Sequence, residues 1–164
     1  MTTKGTHVVR RSPISSPRLL GAGLATVLAF NLLCAGCATS GGEKKIILPA
    51  GALPGGRYSP GILAHGTLYI SGQSGENASG KVPDNFETEV KQTLDNIDAV
   101  LKAAGMSSAD VVSVQIYLTD VATFQQMNTV YTAFFKDPRP TRTTVVVAKL
   151  VGPGRIEITA TAKK

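Results

Sequence analysis

Apolar and polar residues follow two rhythms along most of this chain, and the rhythms mark out its elements. Ile46-Ile47-Leu48 forms a short strand, and the runs Gly61 to His65 and Thr67 to Ser71, separated by a tight His65-Gly66 turn, predict a hairpin. After a loop from Gly72 to Pro83, Asp84 and Glu87 have capping-box spacing. Phe86, Val90, Leu94, Ile97, Leu101 and Ala104 then recur every three or four residues until Gly105, which predicts a helix with one apolar face. Val112, Val114, Ile116 and Leu118 alternate with Ser113, Gln115, Tyr117 and Thr119, the period of a half-buried strand. Asp120 caps a second helix whose stripe is Phe124, Met127, Tyr131 and Phe134, a set that reads as core rather than as a cofactor box, and Pro138 and Pro140 stop it. From Thr143 to Leu150 both faces are apolar, with Val146, Ala148 and Leu150 on one and Val145 and Val147 on the other, so both should be covered. Ile156, Ile158, Ala160 and Ala162 form the last strand, with Glu157, Thr159 and Thr161 opposite. The order β-ββ-α-β-α-β-β predicts an α+β domain, a single mixed sheet with both helices on one face. A strand that is apolar on both sides then needs a second subunit for cover.

Ahead of these elements lies an apolar run of another kind, Leu19 to Leu33, preceded by Lys4, Arg10, Arg11 and Arg18 and ending in Leu33-Cys34-Ala35-Gly36-Cys37. About 15 apolar residues fall short of the roughly 20 that span a bilayer, and the order of basic residues, apolar run and small residues is that of a secretory signal. The alternative, an uncleaved anchor, is weakened by Gly21, Gly23 and Asn31 within the run. Ala35-Gly36-Cys37 resembles a bacterial lipobox, in which small residues precede a cysteine that is lipidated; Cys34 stands where leucine is usual. The expectation is an exported protein with residues 1–36 as lipoprotein signal peptide, and 37–45 as lipidated Cys37 and a polar tether. Residues 46–164 would be the folded domain. The anchor would hold it on the periplasmic side of a bacterial membrane, and Ala38 after the cysteine leaves the outer membrane open.

The leader also changes the reading of charge. The chain carries 17 basic and 11 acidic residues, but 13 basic and all 11 acidic ones follow Gly36, so the formal charge there is +2 rather than +6. No basic stripe with interleaved aromatics remains, which argues against nucleic acid as a partner. Both cysteines lie at the cleavage site, leaving the folded part without disulfide, thiol nucleophile or thiolate metal site.

Four stretches carry a resemblance to a known family: Arg57-Tyr58-Ser59-Pro60; Leu68-Tyr69-Ile70-Ser71-Gly72-Gln73; Tyr117-Leu118-Thr119-Asp120 through Phe124, Met127-Asn128, Tyr131 and Phe134-Phe135; and Pro140-Thr141-Arg142-Thr143-Thr144-Val145 through Ile156-Glu157-Ile158. Together they resemble the RidA (YjgF) imine-deaminase family. The resemblance implies a chorismate-mutase-like α+β fold assembled as a homotrimer, with sites in the clefts between subunits. It implies hydrolysis of small enamines and imines to 2-oxo acids and ammonia, without metal or cofactor. Arg142 matches the arginine that holds the substrate carboxylate, a task suited to a planar guanidinium with parallel donors. Tyr58, Ser71, Gly72 and Asn128 match positions lining the cleft and would orient the substrate. Each also has a plain structural reading: a packed loop aromatic, two turn residues and a polar helix residue. Active members commonly read Ile-Glu-Ile-Glu in the last strand, the second glutamate helping to hold the attacking water; here Thr159 takes its place, and Glu157 reads as a solvated residue.

Two classes of function therefore compete. One is an exported, lipid-anchored imine or enamine deaminase that uses Arg142 and positions water at Thr159. The other is a module that binds small carboxylates, or a protein-interaction module, that has lost the water-activating acid. Either would have a small carboxylate-bearing molecule, its own copies and a membrane as partners. Mass spectrometry of membrane-extracted protein should find Cys37 acylated and N-terminal; an intact precursor with unmodified Cys37 overturns that expectation.

Overall fold

The computed structural model of the chain describes residues 43–164; the leader, Cys37 and most of the tether lie outside them. Six strands form one sheet: β1 (Lys45–Ile47), β2 (Gly61–Ala64), β3 (Thr67–Ser74), β4 (Val111–Leu118), β5 (Thr141–Val146) and β6 (Ile156–Lys163). Their order is β1-β2-β3-β6-β4-β5, antiparallel throughout except for the parallel pair β4–β5. Helices α1 (Phe86–Ala103) and α2 (Phe124–Phe134) pack on one face, as the apolar periodicities require. The expected α+β class, with one mixed sheet and two helices, is the observed one.

The core lies between the helices and that face. Ile156, Ile158, Ala160 and Ala162 of β6 meet Leu68 and Ile70 of β3 and Val114, Ile116 and Leu118 of β4, under Val90, Leu94, Ile97 and Leu101 of α1 and Met127 and Tyr131 of α2. Burying an aliphatic side chain of this size contributes roughly 1.5–3 kcal/mol, so the central strand β6, apolar at every second residue, anchors the sheet. The hairpin turn is as expected: His65 and Gly66 take φ of 51° and 72°, the two left-handed positions of a two-residue turn that matches strand twist.

Three local expectations are corrected. The α1 cap is Asn85, whose Oδ1 accepts from the Thr88 backbone N–H at 3.0 Å; the Asp84 carbonyl accepts instead from the Arg155 guanidinium at 3.0 Å. In β4 the register shifts between Val111 and Ser113, so that Val111 is buried and Val112 is 48% exposed; a bulge has moved the alternation by one. The strand expected over Thr143–Leu150 runs from Thr141 to Val146; α2 covers its helix side only in part, Thr144 being half-buried, while Val145 and Val146 stay 42% and 52% exposed.

A buried ion pair joins the layers. Glu89, on the inner face of α1, is fully buried, and its carboxylate accepts both the backbone N–H of Arg155 and, at 2.6 Å, the Arg155 Nε. The other end of the guanidinium donates to the Pro83 carbonyl at 2.9 Å and lies 5.5 Å from the Phe86 ring centre. Arg155 keeps 40% of its side chain in solvent, so Glu89→Ala leaves the guanidinium hydrated but frees the Arg155 backbone N–H, and should destabilise the domain by about 1–3 kcal/mol. Thermal unfolding measures this, and a loss below that range would show that the pair is dispensable.

Candidate functional site

The first half of the site forms where β3 and β6 part. The β3–β6 register shifts between Ile70 and Gln73, leaving Ser71 and Gly72 at an irregularity that turns them toward the strand ends. Ser71 Oγ donates to the Ser59 carbonyl at 2.7 Å, and the Ser71 backbone N–H to the Pro60 carbonyl at 3.0 Å. These bonds dock the loop before β2 on β3 and set Tyr58, 70% exposed, at the rim of a cavity of about 390 Å³. Ser71, Gly72, Leu150, Gly152 and Glu157 line it as well.

Gly72 is there because nothing larger fits. A Cβ at that position would stand 2.0 Å from Glu157 Oε1 and 2.7 Å from its Cδ, so the carboxylate occupies the volume that any other residue would claim. Glu157 is held from behind. Arg155, two residues earlier, is clamped to Glu89 through both backbone and side chain, and its carbonyl accepts from the Thr119 backbone N–H at 3.1 Å.

The second half lies on the other face of the sheet. Arg142 on β5 pairs in register with the inward-facing Val114 of β4, so its side chain turns to the helix side. There its Nη1 donates to Asn128 Oδ1 of α2 at 2.8 Å, and its guanidinium carbon stands 4.6 Å from the Tyr131 ring centre and 5.8 Å from that of Phe124. Stacking and hydrogen bond together fix the plane of the guanidinium while leaving other donors outward. Asn128, Tyr131, Thr132, Arg139, Pro140 and Arg142 outline an open groove of about 430 Å³. The Tyr131 hydroxyl is buried without a hydrogen-bond partner among the described residues. Burial holds its pKa above the ordinary tyrosine range, partly opposed by Arg142 and Arg139.

The structure thus brings Tyr58, Ser71 and Gly72 together, and separately Arg142 and Asn128. It does not unite the two sets within one chain, because Glu157 alternates with the inward Ile156 and Ile158 and faces away from the helices. Thr159 lies apart from both sets. Its hydroxyl lies 3.4 Å from Gln115 Oε1 on the open face of the sheet, and it lines neither cavity. The carboxylate in the cavity is Glu157, which alternation alone had assigned to solvent. Among the described residues no group of three or more histidine, cysteine or acidic side chains converges on a point.

A single mixed sheet with two helices on one face, carrying a cation cleft on that side and a carboxylate cavity on the other, defines a class of small α+β proteins. Residues 50–164 match the family model described as Endoribonuclease L-PSP, and the chain belongs to this family, the YjgF/RidA family. It is similar to a RutC family protein of Aquifex aeolicus, 38% identical over 124 residues that cover 74% of this chain and 99% of that one. It is also similar to the 2-iminobutanoate/2-iminopropanoate deaminase of Bos taurus, 43% identical over 122 residues, covering 73% and 89% of the two chains. Among solved structures, E. coli TdcF with bound serine superposes with a TM-score of 0.67 at 32% identity, covering 74% of this chain and 99% of that one.

The Gly72 contact generates a direct test. Gly72→Ala should displace only the flexible end of Glu157, leaving the melting temperature within about 2 °C of wild type. The crystal structure of the variant should show the carboxylate moved out of the cavity; a carboxylate in place would refute the packing argument.

Proposed function

We propose that this protein hydrolyses small 2-imino acids to 2-oxo acids and ammonia, as a homotrimer in which Arg142 of one subunit faces the Glu157 cavity of the next. The observation that carries this reading is the division of the site. A guanidinium braced by Asn128 and Tyr131 and a carboxylate seated against Gly72 are the two charged groups the reaction asks for, and they lie on opposite faces of one sheet. Only a second copy can bring them together, and the partly covered strand β5, which carries Arg142, is the surface such a copy would cover. The names of the relatives support the chemistry, and the serine held by TdcF is an amino-acid-sized carboxylate.

In this reading Arg142 takes the substrate carboxylate through parallel N–H bonds and sets the imine carbon toward the neighbouring cavity. Glu157 accepts a proton from the attacking water as its oxygen bonds to that carbon, and the imine nitrogen takes a proton from solvent, to which the hydroxyl proton is returned in the next step. The carbinolamine then collapses: its hydroxyl proton leaves, the C–N bond breaks, and ammonia departs with the proton that Glu157 returns. One imine and one water give one 2-oxo acid and one ammonia. The non-catalytic alternative drew its force from Thr159 in place of an acid; the Glu157 carboxylate lining the cavity favours the catalytic reading over it. The two carboxylates in that cavity, Glu76 and Glu157, disfavour a phosphodiester there, which speaks against the nuclease in the family's description. The leader sequence supports attachment through Cys37 to the periplasmic side of a bacterial membrane, and in this reading imines reach the site from outside the cytoplasm.

Imines made in place from neutral amino acids should be hydrolysed above their spontaneous rate. Arg142→Ala should lower kcat/KM about a hundredfold or more, and lysine should rescue it in part. Glu157→Gln should lower kcat about 10²–10⁴-fold. Light scattering should give three monomer masses for all of them; a monomer, or full activity in Arg142→Ala, overturns the reading.

A further inference from the structure

The cavity beside Glu157 contains a second carboxylate that the proposed reaction does not use. Glu76, in the loop after β3, is half-buried and lines the same space. Ser74 links the two acids: it is the register partner of Glu157 across β3–β6, and its Oγ donates to Glu76 Oε1 at 3.4 Å. Directly opposed residues on antiparallel strands stand about 5 Å apart, so the Glu76 carboxylate lies one strand-width and one side chain from the reacting centre. It is not a loose surface group. Gly152, in the turn before β6, packs so closely that a Cβ there would be 3.1 Å from Glu76 Oε1. No lysine or arginine lines the cavity, and among the described residues neither acid has a cation within salt-bridge distance.

Charge accounting then points to the substrate. Resting on the two-half reading of the site, Arg142 of the neighbour and the substrate carboxylate cancel, and Glu157 cycles its proton. One negative charge, Glu76, stays uncompensated in a cleft that closes over it, where effective dielectric falls and an unpaired charge becomes expensive. A neutral side chain beside it leaves that charge alone; a cationic one compensates it. We infer that Glu76 is a specificity residue and that the preferred substrates are 2-imino acids whose side chain ends in a guanidinium or ammonium group, the imines of basic amino acids. Leu150 and Val151, at the cavity wall, offer apolar surface along which the methylene stem of such a side chain can lie.

The test uses the full chain in detergent micelles, with imines made in place by an L-amino-acid oxidase plus catalase from arginine and from norleucine, which has a neutral side chain of similar reach. The expected result is a kcat/KM ratio of arginine imine to norleucine imine of about ten or more, set mainly by KM. Glu76→Gln should bring the ratio to about one and Glu76→Lys should invert it, while Glu157→Gln, which lowers both rates together, should leave the ratio as it is. A wild-type ratio of one or less overturns the inference while leaving the deaminase reading in place. So does a ratio that Glu76→Gln does not move, which would assign Glu76 to a cation of the neighbouring subunit. Hydrolysis of neither imine above the spontaneous rate removes the deaminase reading, and this inference with it.

Discussion

Glu89 and Arg155 hold the molecule's working end in register. A fully buried carboxylate on α1 grips the residue that begins β6, taking its backbone N–H and its guanidinium at once, while the guanidinium also ties down the carbonyls of Pro83 and Asp84. Because both ends of the carboxylate are used, the residue can neither slide along the strand axis nor rotate about it. The chain to either side inherits that definition: Ile156 drops into the core, Glu157 turns to the opposite face, and the Gly152–Gly154 turn is drawn against the cavity. Gly75 takes part as well, since a Cβ there would stand 2.4 Å from Glu89 Cγ, so the loop leaving β3 is moulded to the same acid. A charge pair deep in a small domain contributes less to stability than its Coulomb energy suggests, and its value here is geometric.

From that definition follows the division of labour between the two faces of the sheet. The helix face covers the core and braces a cation in an open groove at its edge; the opposite face holds a carboxylate between strand ends. The stacking of Arg142 on Tyr131 fixes a guanidinium plane without consuming its charge, and the missing side chain of Gly72 fixes a carboxylate without consuming its lone pairs. Each half is therefore organised in advance, which lowers the reorganisation that a reaction would otherwise demand.

The elements were legible where local chemistry decides them. His65-Gly66 could only be a tight turn, and the stripe from Phe86 to Leu101 could only be a helix with one buried side. The cap of α1 was not legible, because Asp84 and Asn85 offer equal oxygens and only the distant Arg155 decides between them. The bulge at Val112 was hidden for a similar reason, since Val112 continues the alternation of Val114, Ile116 and Leu118, and only the pairing with β6 gives the inward place to Val111. The site residues were recognised as types but not as an arrangement. Glu157 and Thr159 share a face of β6, so alternation could not choose between them; the choice is made by the irregularity at Ser71-Gly72 and by the turn before β6. Glu89 did leave a signal, a carboxylate on the apolar side of a helix between Phe86 and Thr93, which asks for a buried partner.

Strand β5 is the edge of the sheet, and its backbone and its valines are open at once. Such an edge is a template for any extended chain that meets it. The same six residues that present Arg142 thus make a solitary subunit adhesive, with unpaired N–H and C=O groups beside exposed aliphatic surface. Proteostasis then becomes part of the protein's chemistry: wherever that edge stays open after synthesis it invites clumping, and whatever pairs with or covers it also keeps the chain in solution.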